Sequence, residues 1–212
     1  MNESIAIYGG TFDPVHIGHL RSAIDVRSKL KVGRLFVVPS STPPHRQRPS
    51  VTPEVRLEML RLSVADLAGI EVDDREINRS GMSYSIDTLA EFRSEYPTWR
   101  IYFILGADAF SLLHTWHRWQ ELTNFAHLVV LERPGSSSPQ PTDPVLEWLS
   151  DKEISAVSAF GAETNGRVLR LKLVQWQVSA TDIRERCRTG QSIDLLVPKA
   201  VQSFIDEHKL YQ

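Results

Sequence analysis

Short apolar runs alternate along this chain with longer stretches in which apolar and polar positions recur at helical spacing. Buried parallel strands read as continuous apolar runs, and the helices crossing between them read as amphipathic ones. The alternation therefore predicts an α/β fold, with a mostly parallel sheet and helices on both faces. Strands are expected at 4–8, 34–39, 70–72, 100–105 and 127–131, with a late strand at 168–178. Helices are expected at 16–30, at 85–96 where Pro97 stops the chain, and from Pro53 to about residue 67 behind Thr52 as N-cap. A helix over 109–122 completes the set, with a small C-terminal helical part at 180–187 and 199–208. Residues 133–144 (RPGSSSPQPTDP) are rich in Ser and Pro and read as an irregular surface loop within one domain spanning 1–212.

Three segments break this apolar pattern directly after strands: 9–15, 40–46 and 106–108. In open α/β sheets, ligands bind beyond the carboxyl ends of strands, near the point where the strand order reverses. The three segments are therefore expected to meet at one site.

Composition narrows what that site takes. The chain is 42% hydrophobic and 24% charged, with a formal net charge of -2. That balance argues against a broad basic face for nucleic acid, while a few Arg and His residues can still bind a small anion locally. The one cysteine, Cys187, excludes an internal disulfide framework and a Cys-rich zinc module, and suits a reducing compartment. No apolar run approaches the roughly 20 residues of a membrane span. The apolar stretch near the N-terminus is only strand-length, so a soluble, cytoplasmic protein is expected.

The candidate chemistry starts in the first loop, Gly9-Gly10-Thr11-Phe12-Asp13-Pro14-Val15-His16-Ile17-Gly18-His19, which leads from strand to helix. Adjacent glycines permit a tight turn and close backbone approach to a ligand. The helix start beyond them offers unpaired N–H groups and a positive dipole end to phosphate. At i, i+3 on a helix, His16 and His19 share one face and can both donate to a polyphosphate. The string lacks the Gly-x-Gly-x-x-Gly of a dinucleotide site and the Gly-Lys-Ser/Thr of a P-loop. It also lacks the i, i+4 histidines and adjacent Glu of a metalloprotease. Taken singly, each histidine reads as a core or surface residue; the whole string reads as a phosphate site.

His16-Ile17-Gly18-His19 resembles the H-x-G-H signature of the nucleotidylyltransferase superfamily, shared with class I aminoacyl-tRNA synthetases. Nearly the whole chain, with its motifs in order, resembles one branch, the bacterial nicotinate-nucleotide adenylyltransferases. The resemblance implies a Rossmann-like, doubly wound sheet. It implies an ATP site of Gly9, Gly10, Thr11, Phe12, Gly18, Ser179, Thr181 and Arg184, with His16, His19 and Arg184 acting on the reacting phosphates. Val178-Ser179-Ala180-Thr181-Asp182-Ile183-Arg184 is similar to the S-x-T-x-I-R signature, although Ser179 and Asp182 alone read as a capping-box-like helix start.

The same resemblance implies an acceptor site of His45, Arg46, Ser85, Asp108, Trp116 and His117. Residues 39–46 are similar to the family's proline-rich loop, in which Lys commonly stands at the place of Arg46. Ser83-Tyr84-Ser85-Ile86-Asp87-Thr88-Leu89 resembles the S-Y-T-x-D-T-L helix start, whose third position helps hold the nicotinate carboxylate; Ser85 keeps the hydroxyl. Asp108 resembles a nucleotide-contacting residue, and Trp116 one that stacks on the pyridine ring. By spacing alone, Leu112, Leu113, Trp116 and Trp119 would be the core face of a helix. His117 stands where the family often has Tyr, which keeps a backbone contact and puts a side-chain contact in question. The C-terminal helix resembles a structural element.

The implied activity is transfer of the adenylyl group of ATP to nicotinic acid mononucleotide, giving deamido-NAD and pyrophosphate in NAD biosynthesis. Mg²⁺ is expected, bound mainly through the ATP phosphates. Nicotinamide mononucleotide or phosphopantetheine as acceptor would leave the chemistry unchanged. An aminoacyl-tRNA synthetase-like ligase is opposed by the short chain and the missing KMSKS lysine. A non-catalytic nucleotide sensor is opposed by the presence of both histidines and the late Ser/Thr/Arg cluster. No nucleic-acid or membrane partner is expected, and the sequence carries no sign of oligomeric state.

Overall fold

The computed structural model describes residues 3–42, 49–132, 141–174 and 176–212. The strands are β1 (Ser4–Gly10), β2 (Arg34–Pro39), β3 (Ile70–Val72), β4 (Arg100–Gly106), β5 (His127–Glu132), β6 (Glu153–Ile154) and β7 (Val168–Lys172). They form one seven-stranded sheet in the order β3-β2-β1-β4-β5-β7-β6. Every neighbouring pair is parallel. The helices are α1 (Ile17–Leu30), α2 (Pro53–Val64), α3 (Arg75–Asn78), α4 (Ser85–Glu95), α5 (Ala107–Ser111), α6 (Asp143–Leu149), α7 (Ala180–Arg188) and α8 (Lys199–Glu207). This is the Rossmann-like, doubly wound arrangement, and among the described residues no helix is long and apolar enough to cross a membrane.

Side chains alternate across the sheet, so each strand feeds two cores. Ile5 and Ile7 join Phe36, Phe103 and Leu105 on one face, covered by apolar residues of α4, α5 and α6. Ala6 joins Val37, Ile104 and Val129 on the other, covered by α1, α2, α7 and α8. Burial on both faces explains why the central strands read as unbroken apolar runs. The strand order reverses between β1 and β4, and the loops leaving these two strands open on the same edge.

Several expectations are corrected. The helix expected at 109–122 is broken: α5 ends at Ser111, two short 3₁₀ turns follow at Leu113–Thr115 and Trp119–Asn124, and Arg118 is left-handed with φ 52°. Leu112 is accordingly 56% exposed while Leu113 is fully buried, so the four apolar positions do not form one helix face. The late strand stops at Lys172, the last residue in its ladder with β5, where it pairs with Glu132. Residues 173–174 and 176–179, between β7 and α7, are irregular. Of the loop expected at 133–144, residues 133–140 lie outside the described residues. Thr142 is an N-cap and Asp143-Pro144 open α6, so the irregular segment ends earlier than expected. The first helix begins at Ile17 rather than His16, and α2 ends at Val64 rather than about 67. Thr52 does cap α2, its hydroxyl accepting from Val55 N–H at 3.5 Å.

Candidate active site

A cleft of about 1050 Å³ lies beyond the carboxyl ends of β1 and β4. Its lining includes Gly9, Gly10, Thr11, Phe12, His16, Gly18, His19, Ser85, Asp108, Trp116, His117, Ser179, Thr181 and Arg184. Every expected site residue within the described parts of the chain is therefore brought to one cavity. His45 and Arg46 lie outside the described residues.

The first wall is the loop after β1. Its turn depends on Gly10, where an added Cβ would come within 2.7 Å of the Phe12 ring. Phe12 itself is buried in a left-handed conformation, φ 51°, and its ring packs edge-on against Tyr8 and His19 at 5.8 and 5.0 Å. Arg56, fully buried on α2, holds the loop from behind. It donates to the Thr11 carbonyl at 2.7 Å and to the Ser41 carbonyl at 3.1 Å, tying the segments that follow β1 and β2 together.

His16 is the N-cap of α1 and His19 its third residue, so the pair is a helix entrance rather than a helix face. The backbone N–H of His16 donates to His19 Nδ1 at 3.3 Å, and the rings stack with centroids 3.6 Å apart. With Nδ1 accepting, the neutral His19 ring carries its proton on Nε2. Burial pushes the His16 pKa down to about 4, so this ring is neutral at pH 7, and its buried Nδ1 has no hydrogen-bond partner among the described residues. Gly18 makes the packing possible: a Cβ there would lie 3.1 Å from two atoms of the His16 ring.

The second wall is the start of α7. Ser179 caps it, its hydroxyl accepting from Asp182 N–H at 3.1 Å. This leaves the first two N–H groups of the helix, at Ala180 and Thr181, unused within the helix. Arg184 donates through Nη1 to the Asp13 carbonyl at 2.6 Å and through Nη2 to Thr181 Oγ1 at 3.3 Å, which fixes the guanidinium between the two walls.

The far end is built by α4 and the segment after β4. Ser85 is the first residue of α4, and Tyr84, its N-cap, packs its ring on His117 at 4.5 Å. Trp116 is half-buried and meets the Phe103 ring edge-on at 6.4 Å, leaving part of its surface to the cleft. Asp108 is exposed in the first turn of α5.

Beneath Ser85 lies a polar cluster that the sequence reading missed. The Ser83 hydroxyl accepts from the N–H groups of Ser41 and Thr42 at 2.9 and 3.3 Å, and the buried Glu76 carboxylate accepts from Thr88 Oγ1 at 2.7 Å. Burial raises the Glu76 pKa. Trp176, which also lines the cleft, and Arg56 were missed as well. An Arg at a core position of an amphipathic helix was the one available signal for Arg56. Trp176 carried none, because it falls where a strand was expected.

The two halves of the cleft offer different chemistry. Imidazole, guanidinium and helix N–H donors face one half of the cleft, and a half-exposed indole with helix-start donors faces the other. Such a site aligns two anions and neutralises charge that develops between them.

The sequence matches the cytidylyltransferase-like family over residues 7–186. A Pseudomonas syringae pv. tomato protein named a probable nicotinate-nucleotide adenylyltransferase is 44% identical over 209 residues, covering 98% of this chain and 93% of that one. A Chromohalobacter salexigens protein of the same name is 45% identical over 210 residues, covering 98% and 95%. Among solved structures, the Plasmodium falciparum nicotinic acid mononucleotide adenylyltransferase complexed with NaAD is similar with a TM-score of 0.74. It is 17% identical and covers 99% of this chain and 97% of that one, a likeness of fold alone.

Proposed function

We infer that this chain, which belongs to the cytidylyltransferase-like family and within it to the nicotinate-nucleotide adenylyltransferases, uses the cleft beyond β1 and β4 to transfer the adenylyl group of ATP to nicotinic acid mononucleotide. The observation that carries the assignment to this cleft is the convergence of the stacked His16–His19 pair, the start of α7 with Arg184, and the start of α4 with Trp116.

An oxygen of the acceptor's phosphate attacks the α-phosphorus of ATP, the bond to the β-phosphate oxygen breaks, and pyrophosphate leaves. A phosphate monoester has a second pKa near ~6, so the nucleophile is already anionic at pH 7 and needs no general base. The protein's task is to hold two anions in line and to stabilise charge on the leaving group. In this reading His19 donates from Nε2 and His16 from its one protonated ring nitrogen. Arg184, Thr181 and the first N–H groups of α7 hold the departing phosphates. Gly9, Gly10 and Thr11 let the backbone approach the nucleotide, Trp116 stacks on the pyridine ring, and Ser85 takes the ring carboxylate at the start of α4.

Mg²⁺ enters as part of the ATP substrate complex. The donors facing the phosphates suit anionic oxygens rather than a cation. Among the described residues no group of three or more His, Cys, Asp or Glu is placed to hold a metal. A cytoplasmic setting and action of the whole chain as one catalytic unit belong to the same proposal.

The test is to incubate the protein with ATP, Mg²⁺ and nicotinic acid mononucleotide and identify the product by mass. Deamido-NAD is expected, with turnover falling by roughly two to three orders of magnitude in His19→Ala, the loss typical of one preorganised donor. Near-normal turnover in a folded His19→Ala protein contradicts the role given to this pair.

A further inference from the structure

The phosphate half of the cleft is braced from the segment that follows α8. Asp13, in the loop after β1, is only 7% exposed, and three segments distant in sequence converge on it. Tyr211 donates its hydroxyl to Asp13 Oδ1 at 2.9 Å. The backbone N–H of Ser50 donates to Oδ2 at 2.7 Å. Arg184 donates to the Asp13 carbonyl at 2.6 Å, with the carboxylate a further 3.9 Å contact. A carboxylate fixed by two donors holds its own backbone unit still, and that unit is the one on which the Arg184 guanidinium rests.

The tail is built to reach this place. Lys209 and Tyr211 are left-handed, with φ 50° and 64°, conformations that non-glycine residues adopt at a cost and keep only where their surroundings impose them. One segment earlier, the Leu196 carbonyl accepts from Ile17 N–H at 3.0 Å, at the first residue of α1. The C-terminal part therefore grips both the loop and the helix that carry the two histidines. Burial, together with Asp13, pushes the Tyr211 phenol well above its usual range, so its proton stays available for donation at physiological pH.

We propose that Tyr211 is a positioning residue for the phosphate half of the cleft, acting through Asp13 to set the loop after β1 and the Arg184 guanidinium. The proposal deepens the ATP-site reading given above and rests on it. It makes Tyr211, in the segment after α8, a determinant of ATP handling rather than of acceptor binding.

The experiment compares the unaltered chain with Tyr211→Phe, which removes one hydroxyl and keeps the ring. ATP affinity is measured by titration with Mg²⁺, alongside kcat, the KM for the acceptor and the melting temperature. ATP affinity and kcat are expected to fall about tenfold, a part of one hydrogen bond to a charged group, while the acceptor KM stays within about twofold. In an Asp13→Asn background the same Phe substitution is expected to add little, because the two groups act as one unit. A lower melting temperature with unchanged ATP affinity and kcat overturns the proposal. So does a parallel loss in both substrates, or full additivity with Asp13→Asn. The ATP titration needs no turnover, so a chain that binds ATP without releasing pyrophosphate would sink the transferase reading while Tyr211 is still judged on affinity.

Discussion

At the scale of single residues, the site depends on how closely His16 and His19 are packed, and Gly18 controls that packing. Gly18→Ala introduces a Cβ 3.1 Å from the His16 ring, which must then give by a few tenths of an ångström. Alanine also improves helix propensity by roughly 0.5–1 kcal/mol, so the two effects on stability oppose each other. Stability by urea denaturation should stay within about 1 kcal/mol, while kcat falls about tenfold through misalignment of the reacting groups. An unaltered kcat would show that the ring position is not critical.

A third histidine acts away from the site. His127, fully buried on β5, donates from Nε2 to the Glu163 carbonyl at 3.1 Å and accepts at Nδ1 from Arg167 N–H at 3.0 Å. That pairing requires the neutral ring, and burial lowers its pKa from 6.5 to about 4. The unfolded chain takes up the proton near pH 6.5 and the folded chain does not, so stability falls as pH drops from 6.5 towards 4. Between pH 7.5 and 5.0 the loss from this residue should be about 2 kcal/mol. It should shrink correspondingly in His127→Gln; an equal pH slope in both proteins would remove the argument. At this scale the glycines, histidines and Ser/Thr/Arg residues were legible, because they interrupt an apolar pattern. Arg56, Asp13 and Tyr211 were not, because their roles come from partners 45, 171 and 198 positions away.

At the scale of elements, three helix starts do most of the work. Residues at the entrances to α1, α4 and α7 all line the cleft, and a helix start supplies N–H donors where an anion needs them. Ser179→Ala removes the cap of α7 and should cost about 1 kcal/mol in stability. With the first turn loosened, the KM for ATP should rise several-fold while that for the acceptor holds, as read in steady-state assays varying each substrate. An equal rise in both would mean that α7 serves the whole cleft. Most strands were legible as apolar runs. The break at 112–118 was not, since Leu112, Leu113, Trp116 and Trp119 keep helical spacing although Arg118 turns left-handed. β7 ends at Lys172, the last residue of its ladder with β5, which no local pattern records.

At the scale of the molecule, a parallel sheet whose strand order reverses between β1 and β4 opens a crevice there, and the two walls of that crevice differ in chemistry. Phosphate donors line one wall, from the loop after β1 to α7; a half-exposed indole and the start of α4 line the other. This division predicts a choice of acceptor, because nicotinic acid mononucleotide and nicotinamide mononucleotide share every phosphate contact and differ only at the ring substituent. The direct measurement is pyrophosphate release with ATP and Mg²⁺, run in parallel with nicotinic acid mononucleotide, nicotinamide mononucleotide and phosphopantetheine. Strong preference for the first is expected. Release only with either of the others would contradict the acceptor assignment, and silence with all three from folded, ATP-binding protein would contradict adenylyl transfer itself.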